Sequence, residues 1–137
     1  MAHQLVRRND GRPWQDEILR IARVYRDLGI MRLEKVDAPV KFAGKRVIFM
    51  PNPFPDFVGC WHRNGRMIAL EAKSTSDGRL GIGVRATGLT DTQCEALAGW
   101  HKHGAISGVL WRDLENSRWI PWTFIADALN QHKKAIT

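Results

Sequence analysis

Within residues 52–75, NPFPDFVGCWHRNGRMIALEAKST, two carboxylates and an ammonium group (Asp56, Glu71 and Lys73) stand in a segment otherwise rich in apolar side chains. Charge in such surroundings is costly unless it is paired or binds a metal. Asn64 and Gly65 lie between two strand-like runs, and an Asn-Gly pair signals a hairpin with a two-residue type I′ loop. In that register Val58 faces Glu71 and Asp56 faces Lys73, so the three charged groups project from one side of the ribbon. A single bulge would alter the pairing. Two carboxylates brought together repel, and one remedy is a hard divalent cation with oxygen ligands, typically Mg²⁺. A lysine beside them can hold an attacking water or stabilise charge on a phosphate. Each residue alone has a plainer reading: an E-x-K on a strand is usually a cross-strand ion pair, and an aspartate after Pro55 is usually a turn residue. The joint arrangement is what points to chemistry.

The remaining elements must position this hairpin. One of its faces carries Val58, Cys60, Met67 and Ala69, and the other Phe57, Gly59, Trp61, Ile68, Leu70 and Ala72. Both are largely apolar, so the hairpin belongs in the middle of a domain with its charges where the core meets a cleft. Residues 13–28 place Trp14, Ile18, Ile21, Ala22 and Tyr25 at helical spacing, with Pro13 suited to a first turn and Gly29 to a C-terminal cap. Strand-like runs follow at 30–36 and 45–50, separated by 37–44. Residues 90–103 read as a second helix opened by a capping box from Thr90 to Gln93 and closed by Gly104. Residues 105–111 suit a strand buried on both faces. A turn-like stretch at 112–117 leads to an edge strand that tolerates Pro121, and 123–132 forms a short closing helix. The order implies an α/β fold, a mixed sheet with helices packed on it.

Composition bounds the class. A chain of 137 residues that is 44% hydrophobic, with six Trp and five Phe, is expected to form one packed domain spanning 1–137, with 1–9 and 133–137 flexible. No apolar run reaches the roughly 18 residues of a membrane span, and the N-terminus lacks the apolar region of a secretory signal. Cytoplasmic location is expected, that of the host cell if the chain is viral. Cys60 and Cys94, without CxxC spacing, read as reduced thiols. The net charge is +7, and its distribution is uneven: residues 1–50 carry 11 basic and 6 acidic groups, 51–100 carry 5 and 5, and 101–137 carry 5 and 3. A basic frame around a neutral, acid-bearing middle suits an enzyme acting on nucleic acid.

The Pro-Asp at 55–56 and the Glu-Ala-Lys at 71–73 resemble the PD-(D/E)xK nuclease motif. A wider match, carried by NDGRPWQDEILRIARVYRDLGIMRLEKVDAPVKF, DFVGCWHRNGRMIALEAKST and LTDTQCEALAGWHKHGAISGVLW, resembles the RecU-type Holliday-junction resolvases. The resemblance implies a restriction-endonuclease-like mixed sheet flanked by helices, and a homodimeric endonuclease that nicks four-way DNA junctions symmetrically. By residue it implies Mg²⁺, replaceable by Mn²⁺, on Asp56 and Glu71 with the backbone carbonyl of Ala72 as a further ligand. Lys73 would position or activate the water, leaving 5′-phosphate and 3′-hydroxyl ends, and Gln93 would lie near the metal. Many relatives carry a glutamate in the first helix; here that position falls on Gln15, with Glu17 two residues on, a place where the helix dipole also favours an acid. The family's protruding stalk would correspond here to a shorter connection, FAGKRVIFMPNPF.

Other candidates have simpler explanations. His101 and His103, with Cys94, lack a shared helix face for zinc and read as solvated residues near a helix C-terminus. The glycine-rich 78–88 stretch lacks the setting of a nucleotide loop; it reads as a loop approaching the DNA backbone, with Arg79 and Arg85 as phosphate contacts. Trp14, Trp61, Trp100, Trp111, Trp119 and Trp122 mostly fall on apolar faces and suit core packing over base stacking. Two alternatives remain beside junction resolution: a nuclease of the same motif that nicks or cuts duplex DNA, and a non-catalytic basic DNA-binding module.

Overall fold

The computed structural model describes residues 11–37, 40–49, 54–83 and 88–137. The first helix, α1 (Arg12–Asp27), buries Trp14, Ile18 and Ala22 along one stripe, with a proline in its first turn and Gly29 at φ +71° just beyond its end. Positive φ there suits a residue without Cβ. Strand β1 (Met31–Lys35) follows, then β2 (Val40–Ala43) and β3 (Arg46–Phe49), β4 (Phe57–Trp61), β5 (Met67–Thr75) and the short β6 (Leu80–Gly81). Helix α2 (Asp91–Lys102), β7 (Ile106–Asp113), β8 (Asn116–Pro121), α3 (Trp122–Asn130) and β9 (Ala135–Ile136) complete the chain.

The central sheet has five strands in the order β1-β4-β5-β7-β8, antiparallel except for the parallel β5-β7 pair that α2 bridges. A parallel pair needs such a crossover, and β7, buried on both faces, has the continuous apolar sequence expected of it. Alternation along the strands sends side chains into two separate cores. Leu33, Phe57, Ile68 and Leu70 meet Trp14, Ile18 and Ala22 of α1 on one side. Val109, Trp111 and Ile120 meet Cys94 and Leu97 of α2 and Ile125 and Ala128 of α3 on the other. Gly59 makes the β1-β4 approach possible, because a Cβ at that position would run into the backbone of Arg32. The expected mixed α/β sheet flanked by helices is therefore the observed one. No described helix is long and apolar enough to cross a membrane.

Several local expectations change. The Asn-Gly reversal is a four-residue loop, 62–65, closed by Trp61 N–H to Arg66 O (2.8 Å) and Gly65 N–H to Trp61 O (2.9 Å). Gly65 has positive φ (+64°) and Asn64 does not, its side chain accepting instead from the Arg66 amide at 2.9 Å. A type I′ turn needs both residues at positive φ; once Asn64 makes this local bond the loop lengthens and the register moves by two. The ladder pairs Phe57 with Leu70 and Cys60 with Met67, which keeps every side chain on its expected face but takes Asp56 away from Lys73 and aligns it with Glu71. Residues 40–43, expected to separate two strands, form with 46–49 a two-stranded hairpin about Gly44 (φ +63°) that, among the described residues, pairs with no other strand. Strand β7 runs on to Asp113, reversing at Leu114 (φ +52°) where a longer turn was expected. At the C-terminus, Ala135–Ile136 pairs with β6 and buries Ile136, in a tail expected to be flexible. Residues 1–9 lie outside the described residues.

Candidate active site

Asp56 stands one residue before β4. Its carbonyl accepts the Val36 amide at 2.8 Å, and its Oδ2 accepts the backbone N–H of Ala72 at 2.9 Å. That second bond fixes the carboxylate against β5, one step beyond the last ladder pair. Because the N–H and C=O of a strand residue point to the same edge, the Ala72 carbonyl faces Asp56 as well.

Glu71 lies inside β5, beside Val109 of β7, and is 2% exposed. Its Oε2 is buried without a hydrogen-bond partner. Burial first, then the charge of Asp56 and a hydrogen bond with its side chain, push the Glu71 carboxyl up to about 9; Lys73 and the Asp56 backbone act in the opposite direction. A buried oxygen with no donor is unusual, because such groups are nearly always satisfied by protein, water or an ion. Two carboxylates of which one retains its proton are a pair waiting for positive charge.

Lys73 follows on the same face of β5, half-buried, in register with Trp111. No hydrogen bond or ion pair engages its ammonium among the described residues, so the plain reading of E-x-K as a cross-strand ion pair does not apply. It acts through space on Glu71 and on the Cys94 thiol of α2, the latter pushed up to about 11 chiefly by burial.

The rest of this face is open on one side. Arg32, Glu34 and Cys60 are exposed and Val58 and Met67 half-buried, all on the face that carries Glu71 and Lys73, while α2 and α3 cover the β7-β8 half. The β1-β4 half thus forms a floor leading to the carboxylates.

Gln93 takes the capping role: its Oε1 accepts the Thr90 backbone N–H at 3.1 Å and its backbone N–H donates to Thr90 Oγ1 at 3.2 Å. Glu17 is held by Arg20 (2.7 Å), whose hydrogen bond keeps its carboxyl below the usual range. With Gln15 it rides on α1, across the sheet from the carboxylate face. Arg79 is exposed in the loop after β5, its amide donating to Asp77 at 3.2 Å; Arg85 lies outside the described residues. His103 Nδ1 is bonded to Gly99 O at 2.8 Å, and no group of three or more His, Cys, Asp or Glu among the described residues is placed to hold a metal.

One network escaped the sequence reading. Trp111 Nε1 donates to Thr75 Oγ1 (2.8 Å), Thr75 donates to Asp113 Oδ1 (2.7 Å), and Gly78 N–H donates to the same oxygen (3.0 Å). Those donors keep the Asp113 carboxyl below its usual range. The network locks the end of β5, and with it the stretch just past Lys73. Only the parallel β5-β7 register, which pairs residues 38 positions apart, brings these groups together.

The oxygens on offer are the Asp56 and Glu71 carboxylates and the Ala72 carbonyl, with the orphaned Glu71 Oε2 among them. A hard divalent cation takes such a set and completes its shell with water and substrate oxygens. No family model matches the chain, and no curated protein matches it. Among solved structures, the chain is similar to Hjc, a Holliday junction resolvase from the archaeal hyperthermophile Archaeoglobus fulgidus, at a TM-score of 0.52 and 19% identity, over 83% of this chain and 78% of that one. At that identity the likeness establishes a shared fold alone, a mixed central sheet flanked by helices.

Proposed function

We propose that this chain is a metal-dependent endodeoxyribonuclease of RecU type that resolves four-way DNA junctions by symmetric nicking as a homodimer. The observation that carries the reading is the buried, partnerless Oε2 of Glu71 beside Asp56, with the uncommitted ammonium of Lys73 on the same face. A structural ion pair would leave none of these groups unsatisfied. The similarity of fold to a junction resolvase and the charge of +7 support a DNA substrate.

Asp56, Glu71 and the Ala72 carbonyl would hold Mg²⁺ or Mn²⁺, which when bound supplies charge neutralisation at the scissile phosphate. Asp56 is fixed in place by the Ala72 amide, so the ligand pair is oriented before substrate arrives. Lys73, free of a carboxylate partner, donates to the attacking water or to a non-bridging phosphate oxygen. In-line attack forms the new P–O bond as the P–O3′ bond breaks, leaving 5′-phosphate and 3′-hydroxyl ends. Gln93 keeps the start of α2 in position through its cap. The exposed hairpin of β2 and β3, with Lys41, Lys45 and Arg46, is the counterpart of the family's stalk. Arg79 and Arg85 contact phosphates further along the arm.

The test is to incubate the purified protein with labelled four-way junction, linear duplex and single strand, each in Mg²⁺ or EDTA. Paired symmetric nicks confined to the junction and to Mg²⁺ are expected. Cuts in plain duplex would shift the substrate to that of a nicking or restriction-like enzyme, and binding without cutting in any metal would remove the nuclease assignment.

A further inference from the structure

Trp100 is a member of neither core cluster. It is half-buried on α2, and its ring meets that of Phe54 at a centroid distance of 6.2 Å and an interplanar angle of 36°. Phe54 is 48% exposed and lies two residues before Asp56. On α2, Gln93, Ala96 and Trp100 are spaced to share one side of the helix, and all three are half-buried. The aromatic pair therefore ties the segment that delivers Asp56 to the helix that flanks Lys73, and it leaves ring surface in solvent.

Basic side chains gather at the C-terminal end of α2, the end that carries Trp100. Arg66 Nε donates to Gly104 O at 2.7 Å, which holds its guanidinium at the C-terminal end of α2. His101, Lys102 and His103 are exposed in the same turn. Helix C-termini carry partial negative charge, and here His103 and Arg66 occupy two of the carbonyls. Exposed ring surface on a helix whose end holds the Arg66 guanidinium matches one chemistry: a nucleotide whose base stacks while its phosphate meets a cation. A base still paired inside a duplex offers no face to stack, so the ligand is an unstacked one.

We infer that Phe54 and Trp100 form a stacking site for an unstacked base of the DNA strand entering the carboxylate site, with Arg66 and Lys102 meeting its phosphates. The strand's destination rests on the nuclease reading; the stacking site itself does not. It gives the protein a preference for strands that are already open, as at a branch point or a frayed end, without reading their sequence.

The experiment measures anisotropy of a labelled oligothymidine and a labelled four-way junction, in EDTA so that no cutting occurs, with the full chain and its Phe54→Ala, Trp100→Ala, Trp100→Phe and Lys102→Ala variants. Each of the two aromatic-to-alanine changes is expected to weaken oligothymidine binding about ten-fold, and Trp100→Phe to retain most of it. Lys102→Ala should lower the slope of log affinity against log salt by about one. Alanine variants that melt like the wild type and bind like it would overturn the inference, as would equal losses in Trp100→Phe and Trp100→Ala, or a wild type that does not bind oligothymidine. If Trp100→Ala proves unstable, the exposed Phe54→Ala decides. A wild type that shows these losses but never cuts in Mg²⁺ removes the nuclease and leaves the stacking site; a wild type that cuts while the variants bind normally removes the stacking site alone.

Discussion

Replacing Glu71 by glutamine should stabilise the metal-free protein while abolishing its response to metal. Glu71 is raised to about 9 in the folded protein from an ordinary 4.5, so between those values the folded state keeps a proton that the unfolded chain releases. The unfolded state binds fewer protons across that window, and stability therefore falls as pH rises, by up to about 1.4 kcal/mol per pH unit. At pH 7.5 the accumulated loss approaches about 4 kcal/mol relative to a neutral side chain of the same shape. Glutamine removes that loss but brings amide N–H donors to a place where one oxygen already lacks a partner, costing about 1–3 kcal/mol. The net gain is about 1–3 kcal/mol, or roughly 4 °C in Tm per kcal/mol for a domain of this size. Thermal melts in EDTA at pH 5 and 7.5 check it: at pH 5, where the loss is under about 1 kcal/mol, Glu71→Gln should melt level with or below the wild type, and at pH 7.5 above it. Adding Mg²⁺ should then raise the wild type and leave the variant unmoved, since a ligand stabilises only the state that binds it. A variant that melts below wild type at pH 7.5, or a wild type equally stable at both pH values, would refute the reasoning.

Lys73→Ala should eliminate junction cleavage in Mg²⁺ while junction affinity in EDTA stays within about two-fold, because it removes one of many positive charges; gel cleavage and anisotropy measure the two. Gly59→Ala should destabilise the protein by at least about 2 kcal/mol in urea melts, since the added Cβ meets the Arg32 backbone and the β1-β4 ladder must spread. Thr90→Ala should cost about 1 kcal/mol by the same assay through loss of the α2 cap, with a smaller effect on cleavage than Lys73→Ala.

Much of the fold was legible because its signals are local. The spacing of Trp14, Ile18 and Ala22 marks α1, the Thr90-Gln93 box marks the start of α2, and Pro121 marks an edge strand, and each is found in its expected place. The side on which Asp56, Glu71 and Lys73 project was also readable, since a slip of two residues preserves the face. The partner was not. Whether Asp56 meets Lys73 or Glu71 depended on one hydrogen bond from the Arg66 amide to the Asn64 side chain, which competes with the I′ turn by a margin that composition does not disclose. The β2-β3 hairpin was missed because its Gly44 reversal lacks an Asn or Asp before it, and the Trp111-Thr75-Asp113 chain because it spans a parallel pairing. Trp100, half-buried outside both core clusters, likewise finds its aromatic partner on a distant segment.

A nuclease site here requires a cation between the two carboxylates, and crystals grown with Mn²⁺ address that directly. An anomalous difference peak within coordination distance of Asp56, Glu71 Oε2 and the Ala72 carbonyl is the predicted result. Diffraction showing no peak there, with Glu71 Oε2 instead bonded to the Lys73 ammonium, would contradict it.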